Sequence, residues 1–555
     1  LYDLSRHHPP PLVAREDVIG VRERHGPLGV IEALSDSEVA RVTEQIRARA
    51  PESVAIALLF AFQHPEHERR LAAALRAALP NLPVAASHEV LPVFREYERT
   101  STTTAEAYLR PKVASYLART AVLAGERGVQ TLRIMTSNGG TLEPQQAVDR
   151  AASLALSGPA GGVVGAQLVS QAVGVADILT LDMGGTSADA SLITGGVALS
   201  EGAESVAGVP LAFPAILIET VSAGGGSIAA VDDAGALRVG PRSAGAVPGP
   251  ACYGRGGTEP TVTDACLALG WLDPEYRLAD GVELDRDAAE RALATLGGDP
   301  RTVAAAIVEV ATAVMARALK RVSVARGIDP RGMALLPFGG AGALFGCALA
   351  DALGMSRVVV PPHPGVLSAI GLAAAPERVD LIASVHRALT EVRDGDLSRA
   401  YQPLLTAAAG ALPHAVLTRF ADCRFAGQGY EVTVPVRHDD PAAVGAAFRA
   451  AHQARHGHAD PEQSVQVVNL RVVAERPSGV MVTSAAGRTK AVPPRAIVTR
   501  DGTSARANVW ALGEIAAGTH IRGPAVLAGP DATALVEPGW HGVVHPSGAV
   551  VLERQ

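Results

Sequence analysis

The residues best suited to chemistry lie in one stretch, Ile178-Leu-Thr-Leu-Asp-Met-Gly-Gly-Thr-Ser-Ala-Asp-Ala-Ser-Leu-Ile193. Asp182 closes an apolar run, Gly184 and Gly185 follow, then come the hydroxyls of Thr186 and Ser187, and Asp189 opens a second apolar run. Two apolar runs joined by glycines predict a β-hairpin, and the absent Cβ atoms let backbone N–H groups approach an oxyanion. Asp182, at a strand end, is placed to hold Mg²⁺ directly or through water, and Thr186 to bond a phosphate oxygen. Asp182, Thr186 and Asp189 are therefore the candidate catalytic residues, with Asp182 also the metal ligand and Gly184, Gly185 and Ser187 the cradle. Two glycines and one acid would equally make an ordinary turn. The second carboxylate and the paired hydroxyls favour a nucleotide phosphate.

Further glycine turns surround this stretch. Ser157-Gly-Pro-Ala-Gly-Gly162 opens an Ala/Val-rich helix whose first N–H groups are available to an anion. Gly224, Gly225, Gly226 and Ser227 follow a strand predicted over 216–221, and Phe338-Gly-Gly-Ala-Gly342 joins a strand to the helix predicted over 344–353. Gly339, Gly340 and Gly342 thus aim backbone and a helix start at a ligand, and the Gly224–Ser227 turn adds a second candidate binding loop. Residues 240–257, too rich in Gly and Pro for a regular element, read as an ordered loop.

The elements that must position these turns alternate. Helical spacing over 36–49 precedes an apolar run at 53–60, read as a buried strand; a helix over 67–78 and a strand over 83–87 repeat the pattern of an α/β layer. The polar stretch 88–103 follows that strand's carboxyl end, where α/β proteins place ligand groups, and Glu96, Glu98 and Arg99 read either as such groups or as a solvated ion-pair segment. Residues 112–123 are expected to form a connecting helix, 302–326 a long core helix, and 1–30 irregular surface chain. Beyond about 385 the glycine turns thin out, so a separate C-terminal α+β domain is expected over 386–555, after segments 1–110 and 111–385.

Composition excludes several classes. At 555 residues the chain exceeds one core, and 48% apolar with 19% charged residues describes a folded protein. A net charge of −7 gives no global signal for nucleic acid or an anionic membrane, and no apolar run of about 18 uncharged residues stands out as a span. Four cysteines without a CxxC pair suit a reducing cytoplasm. No GxxxxGK[ST], HExxH or GxSxG is present, against a P-loop ATPase, a zinc protease and a serine hydrolase. His452, His456 and His458 have a spacing that could bind metal on a helix, though a solvated face is the commoner outcome.

Taken together, Asp182–Asp189, Ser157–Gly162, Gly224–Ser227, Ser243–Pro250, Phe338–Gly342, His88-Glu-Val-Leu-Pro, Arg95–Thr102 and Arg326-Gly-Ile-Asp-Pro-Arg331 resemble hydantoinase A of the hydantoinase/5-oxoprolinase family. The resemblance implies ribonuclease-H-like α/β lobes of the sugar kinase/Hsc70/actin superfamily. It makes Asp182–Asp189 a phosphate hairpin and Phe338–Gly342 an adenosine turn, with ATP and Mg²⁺ as cofactors. It implies ring opening of a cyclic amide, such as 5-oxoproline or a hydantoin, by phosphorylation of the carbonyl oxygen, with a separate hydantoinase B-type subunit as partner. The ATP-hydrolysing subunit of an acetone or acetophenone carboxylase, or a non-catalytic nucleotide-binding subunit, are the alternatives. Family members begin with a first Asp-x-Gly-Gly-Thr hairpin not found in this sequence, so the chain is expected either to be a fragment, which the missing start Met favours, or to lack half of the phosphate clamp. The sequence also departs at Phe345, Cys266 and Glu106, where the family usually places His, Asn and Asn.

Overall fold

The computed structural model describes residues 10–201, 204–206, 208–274, 283–480, 489 and 491–555. The chain forms two compact units that it enters more than once. One comprises Leu1–Ser157, Glu201–Ala215 and Pro376–Ser478; the other comprises Gly158–Ser200, Ile216–Ala375 and Gly479–Gln555. This differs from a linear series of three segments. The chain changes unit at Pro376, and residues 386–478 and 479–555 belong to different units rather than to one C-terminal domain. Long-range strand pairing is the reason: Glu377–Ala388 pairs with Val465–Arg476, whereas Arg357–Val360 pairs with Val550–Arg554.

The unit containing Asp182 is built around a nine-stranded sheet and also holds a four-stranded sheet of Ala491–Val498, Ser504–Ala511, Ala525–Ala528 and Thr533–Val536. Eight of the strands of the larger sheet are β1 (Ile178–Met183), β2 (Ala188–Thr194), β3 (Glu219–Val221), β4 (Ala334–Phe338), β5 (Arg357–Val360), β6 (His520–Arg522), β7 (Trp540–Val544) and β8 (Val550–Arg554), in the order β3-β2-β1-β4-β5-β8-β7-β6, and Val197–Ala198 pairs with the end of β2 off this path. β1, β2 and β3 form an antiparallel meander; β4 and β5 run parallel to β1. In β1, Ile178, Leu179, Leu181 and Met183 are all fully buried, and Asp182 is the polar interruption near its carboxyl end. Such near-continuous apolarity marks a strand covered on both faces.

Helix α1 (Ser157–Val173) precedes β1, and helix α2 (Pro300–Val322) buries Ile307, Val308, Ala311, Met315 and Leu319 in the same core. The Asp299 carboxylate caps α2 by accepting the Thr302 N–H, with Pro300 in the first turn. By length and composition this segment is apolar enough to cross a membrane, although no such run stood out in the sequence; half of its most apolar stretch is buried within the unit. The loop expected at 240–257 begins as strand, since Leu237–Ser243 pairs with Ser227–Val231.

The other unit holds a six-stranded sheet that includes Val416–Phe425, Val465–Arg476 and Glu377–Ala388, and a parallel pair, Val54–Ile56 with Val84–Ala86. The helix expected from residue 36 runs Asp36–Arg49 as read. Three readings are corrected here. Residues 24–32 are a hairpin, Arg24–Gly26 with Gly29–Glu32, rather than irregular chain; His7 and His8 lie outside the described residues. The apolar run 53–60 forms strand only over Val54–Ile56, because its one parallel partner, Val84–Ala86, is equally short, and Phe60 turns the chain at φ +61° further on. The polar stretch 88–103 and the helix expected at 112–123 are one region: after a short turn at Ser87–Val90, a single helix spans Glu96–Glu126.

That helix explains why the stretch is so polar. Arg99 is fully buried and donates to the Ser87 hydroxyl (3.0 Å) and to the Val93 (3.1 Å) and Leu58 (2.7 Å) carbonyls, besides pairing with Glu96. Glu68, also fully buried, accepts from Leu58 N–H (2.7 Å), the Ser87 hydroxyl (2.7 Å) and His88 N–H (2.9 Å). The charges here lock loop backbone in place, as buried ions must when no water reaches them.

Candidate functional site

The β1–β2 hairpin sets Asp182 opposite Asp189, with Met183 opposite Ala188. Gly184 N–H donates to the Ser187 carbonyl (3.1 Å) and closes the turn. Gly184, Gly185 and Thr186 are exposed, and the N–H groups of Gly185 and Thr186 make no bond among the described residues. A Cβ at Gly185 would meet no atom within 4 Å, and one at Gly184 only the Ser187 carbonyl oxygen at 4.0 Å. Neither glycine has a left-handed backbone, so neither packing nor conformation demands glycine there. The space they keep open lies on the solvent side of two free donors.

The carboxylates are held from behind. The Ser368 hydroxyl donates to Asp182 Oδ2 (3.2 Å) and the Thr220 hydroxyl, on β3, to Asp189 Oδ1 (2.5 Å). Burial pushes the Asp182 carboxyl up to about 6; the Ser368 hydroxyl opposes this and the Asp189 charge adds to it. Asp189 is also raised by burial, against its bond to Thr220. Among the described residues no Lys or Arg acts on either acid. Two partly buried carboxylates facing one another without a cation create a demand for positive charge.

The triple glycine has a different local task from the one its composition suggests. Gly225 N–H donates to the Gly184 carbonyl (2.9 Å) and Gly226 N–H to the Gly185 carbonyl (2.6 Å), while Gly224 N–H binds the Ser227 hydroxyl (2.8 Å). A Cβ at Gly224 would lie 2.6 Å from Gly185 and Thr186 backbone atoms. The 224–227 loop therefore grips the underside of the hairpin turn, and these donors are already engaged. Thr263, whose N–H and hydroxyl both bond the Gly225 carbonyl (2.8 and 2.9 Å), fixes the loop in turn.

Gly339–Gly342 forms a single helical turn after β4, whose Phe338 is in register with Asp182. Gly339 has φ +79°, and a Cβ there would fall 2.4 Å from Asp182 Oδ1. Only glycine allows this turn to abut the carboxylate. Gly342 sits against β1, and Gly340 is exposed beside the Asp531 carbonyl. Asp531 also accepts the Gly365 N–H (3.0 Å), which ties residues 529–532 to the same corner.

The glycines of Ser157–Gly162 serve close packing. A Cβ at Gly162 would fall 2.6 Å from the Phe338 ring and 3.0 Å from the Ser368 hydroxyl, and one at Gly161 3.0 Å from the Ser368 carbonyl. α1 is thereby seated on helix α3 (Leu367–Ala374), which carries Ser368. Ser368, Thr220 and Thr263 were not singled out from sequence, because isolated hydroxyls outside a glycine turn give no signal; the nearby Pro364-Gly-Val-Leu-Ser368 was the available hint.

Two of the departing positions lie in the core of this unit. Phe345 is fully buried and edge-on to Trp271 at 6.4 Å, and Cys266 is buried. Glu106, in the other unit, accepts the Ala151 (3.0 Å) and Ala152 (2.8 Å) N–H groups and pairs with Arg110. His452 is buried against Phe425 and Phe448 rather than solvated, and its two ring nitrogens contact the His458 carbonyl and Gln428, so the three-histidine spacing builds no metal cluster among the described residues.

Residues 99–380 match the hydantoinase/oxoprolinase family and residues 1–79 its N-terminal region. The chain belongs to the hydantoinase/oxoprolinase family. It is 34% identical to the caprolactamase subunit alpha of Pseudomonas jessenii, over 94% of this chain and 79% of that one. The crystal structure of the ATP-dependent caprolactamase from that organism superposes with a TM-score of 0.83 at 32% identity, covering 100% of this chain and 84% of that one. The nucleotide-free structure of acetone carboxylase superposes with a TM-score of 0.77 at 25% identity, covering 99% and 83%. The 5-oxoprolinase of Saccharomyces cerevisiae is 28% identical over 92% of this chain, which spans 42% of that protein. The mixed α/β fold is thus shared with both solved enzymes.

Proposed function

We propose that this chain is the nucleotide-handling subunit of an ATP-dependent enzyme that opens a cyclic amide. The observation that carries the reading is the facing pair Asp182 and Asp189, without a cationic partner, beside an exposed turn with two free N–H groups. An all-oxygen donor set of carboxylates and hydroxyls suits a hard cation that keeps its waters, as Mg²⁺ does. When bound, Mg²⁺–ATP would supply the phosphoryl group that turns an inert amide oxygen into a leaving group.

The chain's own part is to hold and orient. Asp182 and Asp189 would receive the cation, Gly185 and Thr186 N–H with the Thr186 and Ser187 hydroxyls would face phosphate oxygens, and the Gly339–Gly342 turn would seat the nucleoside. Donors fixed by a hairpin need not reorganise as charge develops, which is the main electrostatic advantage available to such a site. The three-stranded meander followed by two parallel strands supports a ribonuclease-H-like lobe of the actin-like superfamily. The likeness to a caprolactamase alpha subunit supports a partner subunit, here read as hydantoinase B-type. Four buried free thiols support a reducing, cytoplasmic setting.

The test is ADP release and ring opening by the purified chain with its partner subunit, across 5-oxoproline, hydantoin and caprolactam. Amide-stimulated ATP hydrolysis, lost in Asp182→Ala, supports the reading; turnover retained in that variant removes Asp182 from the site. The acetone carboxylase likeness favours a second reading, in which ATP hydrolysis would depend on bicarbonate and a ketone instead.

A further inference from the structure

A second cluster of metal-type ligands lies in the other unit. Glu23 precedes the strand Arg24–Gly26, His25 is at its centre, and His67 stands in the first turn of the helix Glu66–Ala78. Their side chains are almost wholly buried, at 5%, 3% and 11% exposure. Glu23 Oε2 lies 2.7 Å from His67 Nδ1 and 3.6 Å from His25 Nδ1, and all three ligand atoms fall within 4.8 Å of one another.

We propose that Glu23, His25 and His67 form a site for a divalent transition-metal ion of the zinc class. Tetrahedral zinc at about 2.0–2.1 Å from each ligand separates neighbouring ligand atoms by roughly 3.3 Å, a value that 2.7 and 3.6 Å bracket. Two imidazoles and a carboxylate are a donor set zinc accepts, and three protein ligands leave a fourth position for water or a small anion.

Two further observations point to an occupant. The 2%-exposed His25 imidazole packs on the His67 ring at 4.1 Å between centroids and meets Glu23 only at 3.6 Å, beyond hydrogen-bond length. His64 stacks parallel on His25 at 5.2 Å, and its buried Nε2 has no partner. A third imidazole thus walls the pocket, and no Arg or Lys pairs with Glu23 among the described residues.

Occupancy requires one rearrangement. Without a metal, His67 Nε2 accepts the Leu34 N–H (3.3 Å), which places the ring proton on Nδ1, facing Glu23. Ligation through Nδ1 displaces that proton; the neutral ring then carries its proton on Nε2, and the long Leu34 contact opens. Metal ligands commonly donate their second ring N–H, so this proton would turn to a new acceptor or to water.

The experiment uses the full chain after chelator treatment and dialysis. Zinc titration followed by elemental analysis should give one tightly held ion per chain, and cobalt substitution should give the visible absorption of a four-coordinate site with nitrogen and oxygen ligands. Glu23→Gln and His25→Gln should each weaken binding at least 100-fold while circular dichroism stays unchanged; His452→Ala, at the other histidine cluster, should leave it intact. Should either variant misfold, the native chain decides: its unfolding midpoint must rise with added zinc. Absence of stoichiometric binding by the native chain, or binding indifferent to His25→Gln, overturns the proposal. Because no nucleotide enters this test, its outcome is independent of the ATP reading.

Discussion

Gly224→Ala and Gly185→Ala separate the two tasks that glycine performs around the hairpin. At Gly224 an added Cβ would stand 2.6 Å from the carbonyl carbon and oxygen of Gly185 and from Thr186 N, all backbone atoms with no rotamer to give way. Relief requires the 224–227 loop to leave the turn, which lengthens the Gly225–Gly184 and Gly226–Gly185 hydrogen bonds. Overpacking costs about 1–3 kcal/mol and each weakened bond up to about 1 kcal/mol, so Gly224→Ala is expected to destabilise this unit by about 2–4 kcal/mol. At Gly185 the added methyl meets nothing, and the backbone is not left-handed. Its effect on stability should lie between nil and a gain of about 1 kcal/mol from the stiffer unfolded chain. It would, however, stand beside the free N–H groups, and nucleotide affinity should fall at least tenfold. All three tryptophans, Trp271, Trp510 and Trp540, belong to this unit, so urea unfolding followed by tryptophan fluorescence reports it alone. Calorimetric titration with Mg²⁺–ATP supplies the second axis. Equal destabilisation by the two variants, or an unchanged midpoint in Gly224→Ala, would refute the division of roles.

Asp182→Asn should stabilise the folded chain at neutral pH. With its carboxyl raised from 3.8 to about 6, folded Asp182 holds a proton that the unfolded chain releases, so stability falls as pH rises through that window. Removing the ionisation recovers up to about 3 kcal/mol, read as a higher urea midpoint at pH 7 than at pH 4 relative to the parent chain, while turnover is lost. Ser368→Ala removes a hydrogen bond to a charged group worth about 1.5–3 kcal/mol, so the tryptophan-detected stability should fall by up to that amount and Mg²⁺–ATP affinity should weaken as Asp182 loses its orientation; Ser368→Thr should recover part of both losses. Arg99→Ala leaves Glu96 with the Phe60 N–H but strands two carbonyls and a hydroxyl that lose a buried donor, and should cost about 3 kcal/mol or more in the unit it occupies, measured by hydrogen exchange along Glu96–Glu126, without altering nucleotide affinity in the other.

The local chemistry of this protein was legible in its sequence where it is written in contiguous residues. The hairpin at Asp182–Asp189, the turn at Gly339–Gly342 and the helices Asp36–Arg49 and Pro300–Val322 follow from periodicity, capping and glycine placement, which act over a few residues. What the sequence did not reveal depends on distant segments meeting. Gly224–Gly226 reads as an anion loop until Gly184 and Gly185 occupy its donors. Gly161 and Gly162 read as a helix-start anion site until Phe338 and Ser368 fill the space their missing Cβ atoms leave. Arg99 reads equally as a ligand group or a solvated ion pair until Leu58, Ser87 and Val93 surround it, and His25 and His67, 42 positions apart, meet only because the fold brings a hairpin to the start of a helix. Side-chain type and short spacing fix which bonds a residue can make. Only the fold decides which partner arrives first, because burial removes water as the competitor and leaves each donor and carboxylate with the neighbours that topology supplies.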